Sequence, residues 1–376
     1  MPADLVCPAC DTVYDASPDE PWRCSCGRAL EFLEGGPLEE TEDVPRELSL
    51  EEPRNDLWAF ADLLPIEKHV SLHEGATPLV DAPRWDASFK LEYVFPTGSF
   101  KDRGATTTLS RAVELGVEKV IEDSSGNAGA AIATYAARAG LEADIYVPAD
   151  VKRSKLRAIE RVGARPVQVE GTRADVTTAC LEAVEDGETG WYASHAWNPA
   201  FYAGTMTFAF ELAAQRGWTV PDAVVLPIGH GTLFLGAYRG FSRLEETGIT
   251  DDIPRLLGVQ ATSHAPVVRR LEGETSAGVP SAVDEPQATV ADGIQIAEPA
   301  REDELVEAIE ASGGDAIALE NEPIETALNR LHRSGFYVEP TSAIAPAAVS
   351  RYRKLGILGD DDDIVVPLTG SGLKIS

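Results

Sequence analysis

An alternation of helical patterns with short apolar runs constrains the fold of this chain most. From residue 101 onward, segments with helical periodicity are separated by runs such as residues 119–122, 143–147, 223–227 and 364–368. This order is typical of α/β proteins, in which helices connect the strands of a mostly parallel sheet. Because 376 residues exceed what one core usually holds, we predict two principal domains.

The charge of the chain limits its partners. The formal net charge is -30, from 62 acidic and 32 basic residues. Binding to nucleic acid needs an excess of positive charge, so that class of partner is excluded. Acidic residues spread along the whole chain are typical of a surface that stays hydrated in concentrated salt, where self-repulsion is screened. We expect a halophilic source, with an acidic mesophilic protein as the alternative.

The apolar runs are too short for a membrane protein. None approaches the ~20 residues that a bilayer-spanning helix needs, so no membrane partner is expected. The first residues, Met-Pro-Ala-Asp, lack the basic and apolar regions of a secretory signal. The sequence therefore predicts a cytoplasmic protein.

Four of the five cysteines lie near the start of the chain, in two closely spaced pairs. Cys7 and Cys10 form a C-x-x-C pair and Cys24 and Cys26 form a C-x-C pair, with thirteen residues between the two pairs. Four thiolates can close a tetrahedral zinc site and stabilise a short segment. We therefore predict a ribbon-like segment that binds zinc through these cysteines, with reduced free thiols or a metal-free ribbon as alternatives. Cys180 lies in an apolar helical pattern and is expected in the core.

Two stretches are predicted to connect structured segments. Residues 36–55 are acidic and contain three prolines, which indicates a linker. Residues 271–286 are polar and interrupted by glycine and proline, which indicates a surface loop able to act as a lid.

Lys101 is the first candidate for chemistry. It stands between Phe100 and a helical pattern, after the apolar run at residues 89–95, which we read as a strand. Loss of solvent at such a position disfavours the ammonium form, so the amine becomes able to form a Schiff base. The alternative is a surface lysine that opens a helix.

Three further stretches follow strands, at the sheet edge where open α/β proteins gather ligands. The first, Ser124-Ser125-Gly126-Asn127-Ala128-Gly129, combines small residues with an amide donor at a helix start, which favours an anion; a simple helix cap is the alternative. The second, Gly229-His230-Gly231-Thr232-Leu233, offers consecutive backbone N–H groups for a phosphate. The third places Thr369 after the last strand, where its hydroxyl could meet a heteroaromatic nitrogen, or where the chain simply turns.

These four features together resemble the fold type II pyridoxal-phosphate enzymes, in particular the threonine synthases. The resemblance extends over nearly the whole chain and is most specific at residues 96–103. It implies the α/β fold of that class, shared with tryptophan synthase beta, with two open twisted-sheet domains and a cofactor cleft between them. We expect a Cys-rich segment at residues 1–36, a large domain from residues 37–104 and 216–376, and a small domain at residues 105–215. The class also suggests a homodimer.

The resemblance assigns roles to individual residues. Lys101 would carry pyridoxal phosphate and move protons, and Asn127 would bind the 3′-oxygen of the cofactor. The substrate carboxylate would lie against the run Ser124, Ser125, Gly126 and Ala128. The cofactor phosphate would be held by Gly229, His230, Gly231, Thr232 and Leu233, and the pyridine nitrogen would face Thr369. A hydroxyl at that nitrogen suits elimination and replacement better than transamination.

One departure bears on the substrate. Threonine synthases often carry Arg, Gln and Lys after an Asn-Pro pair, where these side chains help to hold the phosphate of O-phosphohomoserine. Here Asn198-Pro199 is followed by Ala200-Phe201-Tyr202. Cationic substitutes would be Arg103, Lys152, Arg153 and Lys155, the last three of which also read as an exposed helix face.

The resemblance implies conversion of O-phosphohomoserine and water to threonine and phosphate. The alternative is another pyridoxal-phosphate enzyme of β-elimination or replacement, such as a serine or threonine dehydratase. A non-catalytic descendant of such an enzyme is a third interpretation.

Overall fold

The computed structural model describes residues 2–33, 56–186, 190–273 and 289–374. The expected linker at residues 36–55 and most of the expected lid at residues 271–286 lie outside these ranges. The strands are β1 Leu5–Val6, β2 Val13–Tyr14, β3 Glu31–Phe32, β4 Leu79–Ala82, β5 Ala87–Lys90, β6 Lys119–Glu122, β7 Glu142–Pro148, β8 Arg165–Val169, β9 Trp191–Tyr192, β10 Ala223–Pro227, β11 Arg255–Ala261, β12 Asp315–Leu319 and β13 Ile364–Pro367.

The helices occupy the segments between these strands. They are α1 Lys101–Glu114, α2 Asn127–Ala139, α3 Arg153–Arg161, α4 Arg173–Glu185, α5 Pro199–Gln215, α6 Thr232–Glu246, α7 Pro266–Leu271, α8 Glu302–Ala311, α9 Asn321–Arg333 and α10 Pro340–Lys354. Short 3₁₀ helices cover Leu57–Leu63, Glu92–Val94, Asp292–Ile294 and Gly372–Lys374. The α/β class predicted from the alternation is confirmed.

The chain divides into two compact units. The first comprises Met1–Ala76 with Lys101–Thr207, and the second comprises Thr77–Phe100 with Phe208–Ser376. Both differ in extent from the expected domains. Residues 56–76 belong with the first unit because they bond to α1: Trp58 Nε1 donates to Thr106 Oγ1 over 3.2 Å, and the Val70 N–H donates to Ser110 Oγ over 3.0 Å.

The first unit contains a four-stranded sheet in the order β8-β7-β6-β9, with every pairing parallel. Its strands read as apolar runs because helices cover parallel sheets on both faces. Val120, Ile145 and Val147 are fully buried and pack with residues of α1 and α2. Cys180 on α4 is fully buried in a smaller apolar cluster, as expected.

The second unit contains a six-stranded sheet in the order β12-β11-β10-β13-β5-β4. Its pairings are parallel except for the edge pair β4 and β5. The expected strand at residues 89–95 ends at Lys90, and a 3₁₀ helix follows at Glu92–Val94. Lys90 and Glu92 are fully buried, and both contact Thr77 Oγ1, which ties this turn to the start of the unit.

The Cys-rich segment forms an antiparallel three-stranded sheet in the order β2-β1-β3. Its core is small, with Leu5, Cys7, Cys24 and Leu30 buried. Arg111 of α1 fixes the segment to its unit by donating to Glu20 Oε2 over 2.6 Å and to the Ala3 carbonyl over 2.7 Å. Among the described residues, no helix is long and apolar enough to cross a membrane.

Candidate active site

Lys101 is the first residue of α1. Its side chain is half-buried. The Nζ atom lies 5.6 Å from the centroid of the Phe201 ring, a distance at which the aromatic face attracts a cation. Lys101 therefore stands at a helix start with an aromatic ring beside its amine.

The run that begins at Ser124 connects β6 to α2. Helix α2 begins at Asn127, and the Gly126 N–H donates to Ser124 Oγ over 3.2 Å. A Cβ on Gly129 would lie 1.8 Å from the Ser124 carbonyl oxygen, so glycine is needed for the loop to fold against the helix. A Cβ on Gly126 would meet only Ser124 Oγ, at 3.7 Å. The loop thus leaves space beside Gly126 at the positive end of a 13-residue helix.

Two acidic residues precede this loop, and the sequence interpretation gave them no role. Glu122 is fully buried at the end of β6, where Oε1 lies 2.6 Å from His195 Nδ1 and Oε2 accepts the His195 backbone N–H over 3.2 Å. Asp123 accepts hydrogen bonds from the Tyr192 and Thr177 hydroxyls. Burial raises the pKa of Glu122 well above its usual range, and the neighbouring Asp123 adds to the effect. The signal available in the sequence was a pair of carboxylates at a strand end.

The segment after Asn198-Pro199 packs inside the first unit. Ala200, Phe201 and Tyr202 on α5 are fully buried. The Tyr202 hydroxyl donates to the Ala196 carbonyl over 2.9 Å. The residues that replace the polar and basic group of the threonine synthases therefore serve packing.

Arg103, one of the expected cationic substitutes, is also interior. Its side chain is fully buried, and Nη1 donates to Thr207 Oγ1 over 3.0 Å. Lys152 and Arg153 are exposed and Lys155 is half-buried at the start of α3. Their exposure agrees with the interpretation of this stretch as a helix face.

The glycine loop of the second unit connects β10 to α6. Gly231 adopts a left-handed φ of 75°, and a Cβ there would lie 2.3 Å from a Leu305 methyl group. Thr232 is buried at the first position of α6. His230 is half-buried, and its Nδ1 accepts the Ala300 N–H over 3.5 Å. The loop presents a helix N-terminus of the kind that binds phosphate.

Thr369 follows β13 and is 2 % exposed. Its Oγ1 lies 3.0 Å from Ser342 Oγ on α10, and the same Ser342 oxygen accepts the Gly370 N–H over 2.7 Å. The Thr369 carbonyl accepts the Phe100 N–H over 3.0 Å. Ser342 therefore positions the Thr369 hydroxyl, a contact between residues 27 positions apart that the sequence interpretation missed.

The four N-terminal cysteines come together as predicted. The sulfur atoms of Cys7, Cys10, Cys24 and Cys26 all lie within 4.8 Å of one another. A hydrogen bond from the Cys26 N–H and another from the Tyr14 hydroxyl lower the pKa of the Cys24 thiol to about 6, whereas burial raises the pKa of Cys7 to about 12. Four converging thiols are the donor set of a structural zinc site.

Each unit contributes groups of the kind that pyridoxal phosphate requires. The first unit supplies the Lys101 amine and an open loop at the start of α2. The second supplies the glycine loop at the start of α6 and a buried hydroxyl at Thr369. A reactive amine, two anion-binding helix starts and a neutral hydroxyl are what this cofactor and an amino-acid substrate require.

Comparisons with curated proteins agree with this chemistry. The threonine synthase of Methanocaldococcus jannaschii is 34% identical over 98% of this chain and 92% of that protein. The threonine synthase of Methanosarcina acetivorans is 34% identical over 85% of this chain and 80% of that protein. The threonine synthase of Mycobacterium tuberculosis H37Rv is 33% identical over 84% of this chain and 87% of that protein.

Solved structures show the same fold. A threonine deaminase from T.th. covers 78% of this chain and 92% of its own, with a TM-score of 0.65 and 27% identity. Maize serine racemase covers 79% of this chain and 88% of its own, with a TM-score of 0.67 and 21% identity. The sequence profile of the family described as "Pyridoxal-phosphate dependent enzyme" matches residues 70–370. With its lysine, its glycine loops and this match over most of its length, the chain belongs to the pyridoxal-phosphate dependent enzyme family.

Proposed function

We propose that the protein is a threonine synthase, which converts O-phosphohomoserine and water to threonine and phosphate. The observation that carries the proposal is the 34% identity to a threonine synthase over 98% of the chain. The placement of Lys101 at the start of α1 supports it, because a lysine at that position can hold the cofactor and then move protons on the substrate.

Each group of residues has a distinct task in this proposal. Lys101 binds the cofactor, and its released amine takes and returns protons at Cα and Cβ of the substrate. Asn127 binds the 3′-oxygen of the cofactor, while Ser124, Ser125, Gly126 and Ala128 orient the substrate carboxylate. Gly229, His230, Gly231, Thr232 and Leu233 hold the cofactor phosphate, and Thr369 faces the pyridine nitrogen. When bound, pyridoxal phosphate supplies an electron sink for the bonding electrons released at Cα.

A second candidate is a serine or threonine dehydratase. The specific observation that favours it is the buried, apolar start of α5 at Ala200, Phe201 and Tyr202. A dianionic leaving group needs compensating donors or cations, which these side chains do not provide. A hydroxyl leaving group has no such requirement, and threonine deaminase is among the proteins of similar fold.

One assay separates the two candidates. The cofactor-loaded protein is incubated with O-phosphohomoserine, serine and threonine in turn, and phosphate, threonine and ammonia are measured. A threonine synthase releases phosphate and threonine together from O-phosphohomoserine. Ammonia release from serine or threonine, without phosphate release from O-phosphohomoserine, would establish the dehydratase instead.

We infer that Cys7, Cys10, Cys24 and Cys26 hold a structural zinc ion. Support comes from the convergence of the four sulfur atoms and from the small core of the segment, which is too small to fold alone. Metal analysis of the purified protein should find one zinc ion per chain. Replacement of Cys10 and Cys26 by serine should remove it while leaving pyridoxal phosphate bound.

We further propose a cytoplasmic homodimer from a halophilic source that acts on a small amino acid. The net charge of -30 supports the halophilic source and argues against nucleic acid or an anionic membrane as partners. Size measurement in concentrated salt tests the dimer.

A further inference from the structure

The two carboxyl groups at the end of β6 have no task in the proposed reaction, and their surroundings differ. Asp123 receives neutral hydroxyl donors, from Tyr192 over 2.8 Å and from Thr177 over 2.7 Å. Glu122 instead faces a titratable ring: its two oxygens meet Nδ1 and the backbone N–H of His195. Asp123 is thus bonded to hydroxyl groups, whereas Glu122 forms a pair with a group that can exchange protons with it.

This pair and the amine of Lys101 share a neighbour, the Phe201 ring. The His195 ring centroid lies 6.0 Å from that of Phe201, and Lys101 Nζ lies 5.6 Å from the same Phe201 centroid. The charge of Lys101 acts on Glu122, where it favours the ionised carboxylate. Interaction energies are reciprocal, so an ionised Glu122 favours the ammonium form of Lys101. Attack on the cofactor aldehyde and proton abstraction from substrate both need the neutral amine.

The other charged and titratable groups around Glu122 also affect the ionisation of its carboxyl. Asp123 opposes ionisation of Glu122, while Arg173 of α4 and Lys101 of α1 favour it. Cys180 of α4 and Tyr192 of β9 face the same two carboxyl groups, and burial raises the pKa of both, so they stay neutral. Burial of Glu122 is the largest effect and raises the pKa of its carboxyl despite the opposing groups. Burial of an unpaired carboxylate costs free energy, so this environment favours a proton that stays on Glu122 or on its partner His195.

We propose that Glu122 and His195 hold one proton in common, and that this neutral pair keeps a lone negative charge away from Lys101. The shared proton resides on Nδ1 or on Oε1, and in either case Nε2 of His195 carries its own hydrogen. Loss of the shared proton would leave a buried anion that favours the ammonium form of Lys101. Glu122 and His195 are therefore positioning residues that act through the lysine. The proposal rests on the assignment of Lys101 as the cofactor lysine and is independent of the substrate.

The first test is a measurement on the wild-type protein. The chain has six histidines, so cofactor-free protein labelled with ¹⁵N in histidine gives few ring signals, and His195→Gln identifies the relevant one. We expect His195 to show a protonated Nε2 at neutral pH. A ring with a hydrogen on Nδ1 and a bare Nε2 would overturn the proposal, because that form requires an ionised Glu122 beside a neutral histidine.

The second test follows Lys101 itself. Competitive acetylation of the cofactor-free protein, read by mass spectrometry, gives the pH dependence of each of the eight lysine amines. In E122Q a neutral amide replaces the neutral pair, so the midpoint for Lys101 should stay at the wild-type value, whereas removal of an ionised Glu122 would move it to lower pH. The matched control is D144N, which removes a carboxylate from the adjacent strand β7, bonded to Lys119 and Arg165. This control should leave the Lys101 midpoint in place.

The outcomes separate this proposal from the proposed function. A Lys101 midpoint that moves to lower pH in E122Q but not in D144N would contradict the neutral pair whatever the enzyme's substrate, because it would reveal a negative charge on Glu122 in the wild type. Both measurements use cofactor-free protein, so a failure to release phosphate from O-phosphohomoserine would leave them unaffected. If E122Q does not fold, the ¹⁵N measurement on the wild type still decides.

Discussion

Polar side chains around the loop at Ser124 are each fixed by a particular partner, and the sequence reveals only those whose partners are local. Lys101 and Asn127 stand in contiguous motifs at helix starts, so their positions follow from the sequence. Glu122 and His195 are separated by 73 residues. Their contact arises because β6 and β9 are neighbours in the sheet, and no local pattern links them.

Asp144 allows a prediction about pH at this scale. Its side chain is 4% exposed and bonds to Lys119 Nζ over 2.7 Å and to Arg165 Nε over 2.8 Å. Burial opposes ionisation, but the hydrogen bonds from Arg165 and Lys119 prevail and lower the pKa of the Asp144 carboxyl. We expect D144N to reduce the free energy of unfolding by about 1.5–3 kcal/mol at pH 7, the range for hydrogen bonds to charged groups.

The sign of the pH dependence follows from the lowered pKa. The stabilisation by Asp144 is complete above the unfolded-state pKa of about 4 and is lost as the pH falls through the lower folded-state value. Urea denaturation should therefore show the gap between wild type and D144N closing below about pH 4. A gap of constant size from neutral to strongly acidic pH would contradict this account.

At the scale of elements, the approach of α5 to α1 depends on two glycines. A Cβ on Gly104 would lie 2.3 Å from the Phe201 ring, and one on Gly204 would lie 2.0 Å from the Arg103 carbonyl oxygen. The sequence shows these glycines and the helical pattern around them, but it does not show which helix each one faces. The structure explains why these two positions carry glycine: the space that a side chain would occupy is taken by the contact between the helices.

Gly104→Ala tests this contact. The added methyl group must displace Phe201, and overpacking of this kind costs about 1–3 kcal/mol. Thermal or urea unfolding should show that loss in the single variant. In the background of Phe201→Leu, whose side chain lacks the ring, the same substitution should cost less, as a double-mutant cycle will measure. Equal costs in both backgrounds would show that Phe201 is not what Gly104 accommodates.

At the scale of the whole molecule, the order of elements was largely predictable and the grouping of segments was not. Periodicity and glycine positions indicated the α/β class, which the structure and the family match confirm. Residues 56–76 carry no such signal for either unit. They join the first unit through bonds such as that from Trp58 to Thr106, between residues 48 positions apart.

The net charge of -30 gives a prediction for the whole molecule. Repulsion between acidic side chains destabilises the compact state, and the Debye length falls from about 10 Å at 0.1 M salt to about 3 Å at 1 M. We expect the melting temperature to rise steadily as KCl increases through this range and beyond. Calorimetry at fixed pH measures the melting temperature at each KCl concentration. An uncharged osmolyte in place of KCl is the control, because it does not screen charge. A melting temperature that is independent of KCl would contradict a halophilic surface.

The central claim is that Lys101 is the residue that holds pyridoxal phosphate, and one measurement tests it directly. Borohydride reduction of the cofactor-loaded protein fixes the cofactor to the amine that holds it, and peptide mapping then identifies the lysine among the eight in the chain. We predict that the added mass lies on the peptide containing Lys101, and that Lys101→Ala abolishes it while the exposed-site control Lys152→Ala does not. Labelling of a different lysine, or no labelling of the loaded protein, would contradict the account.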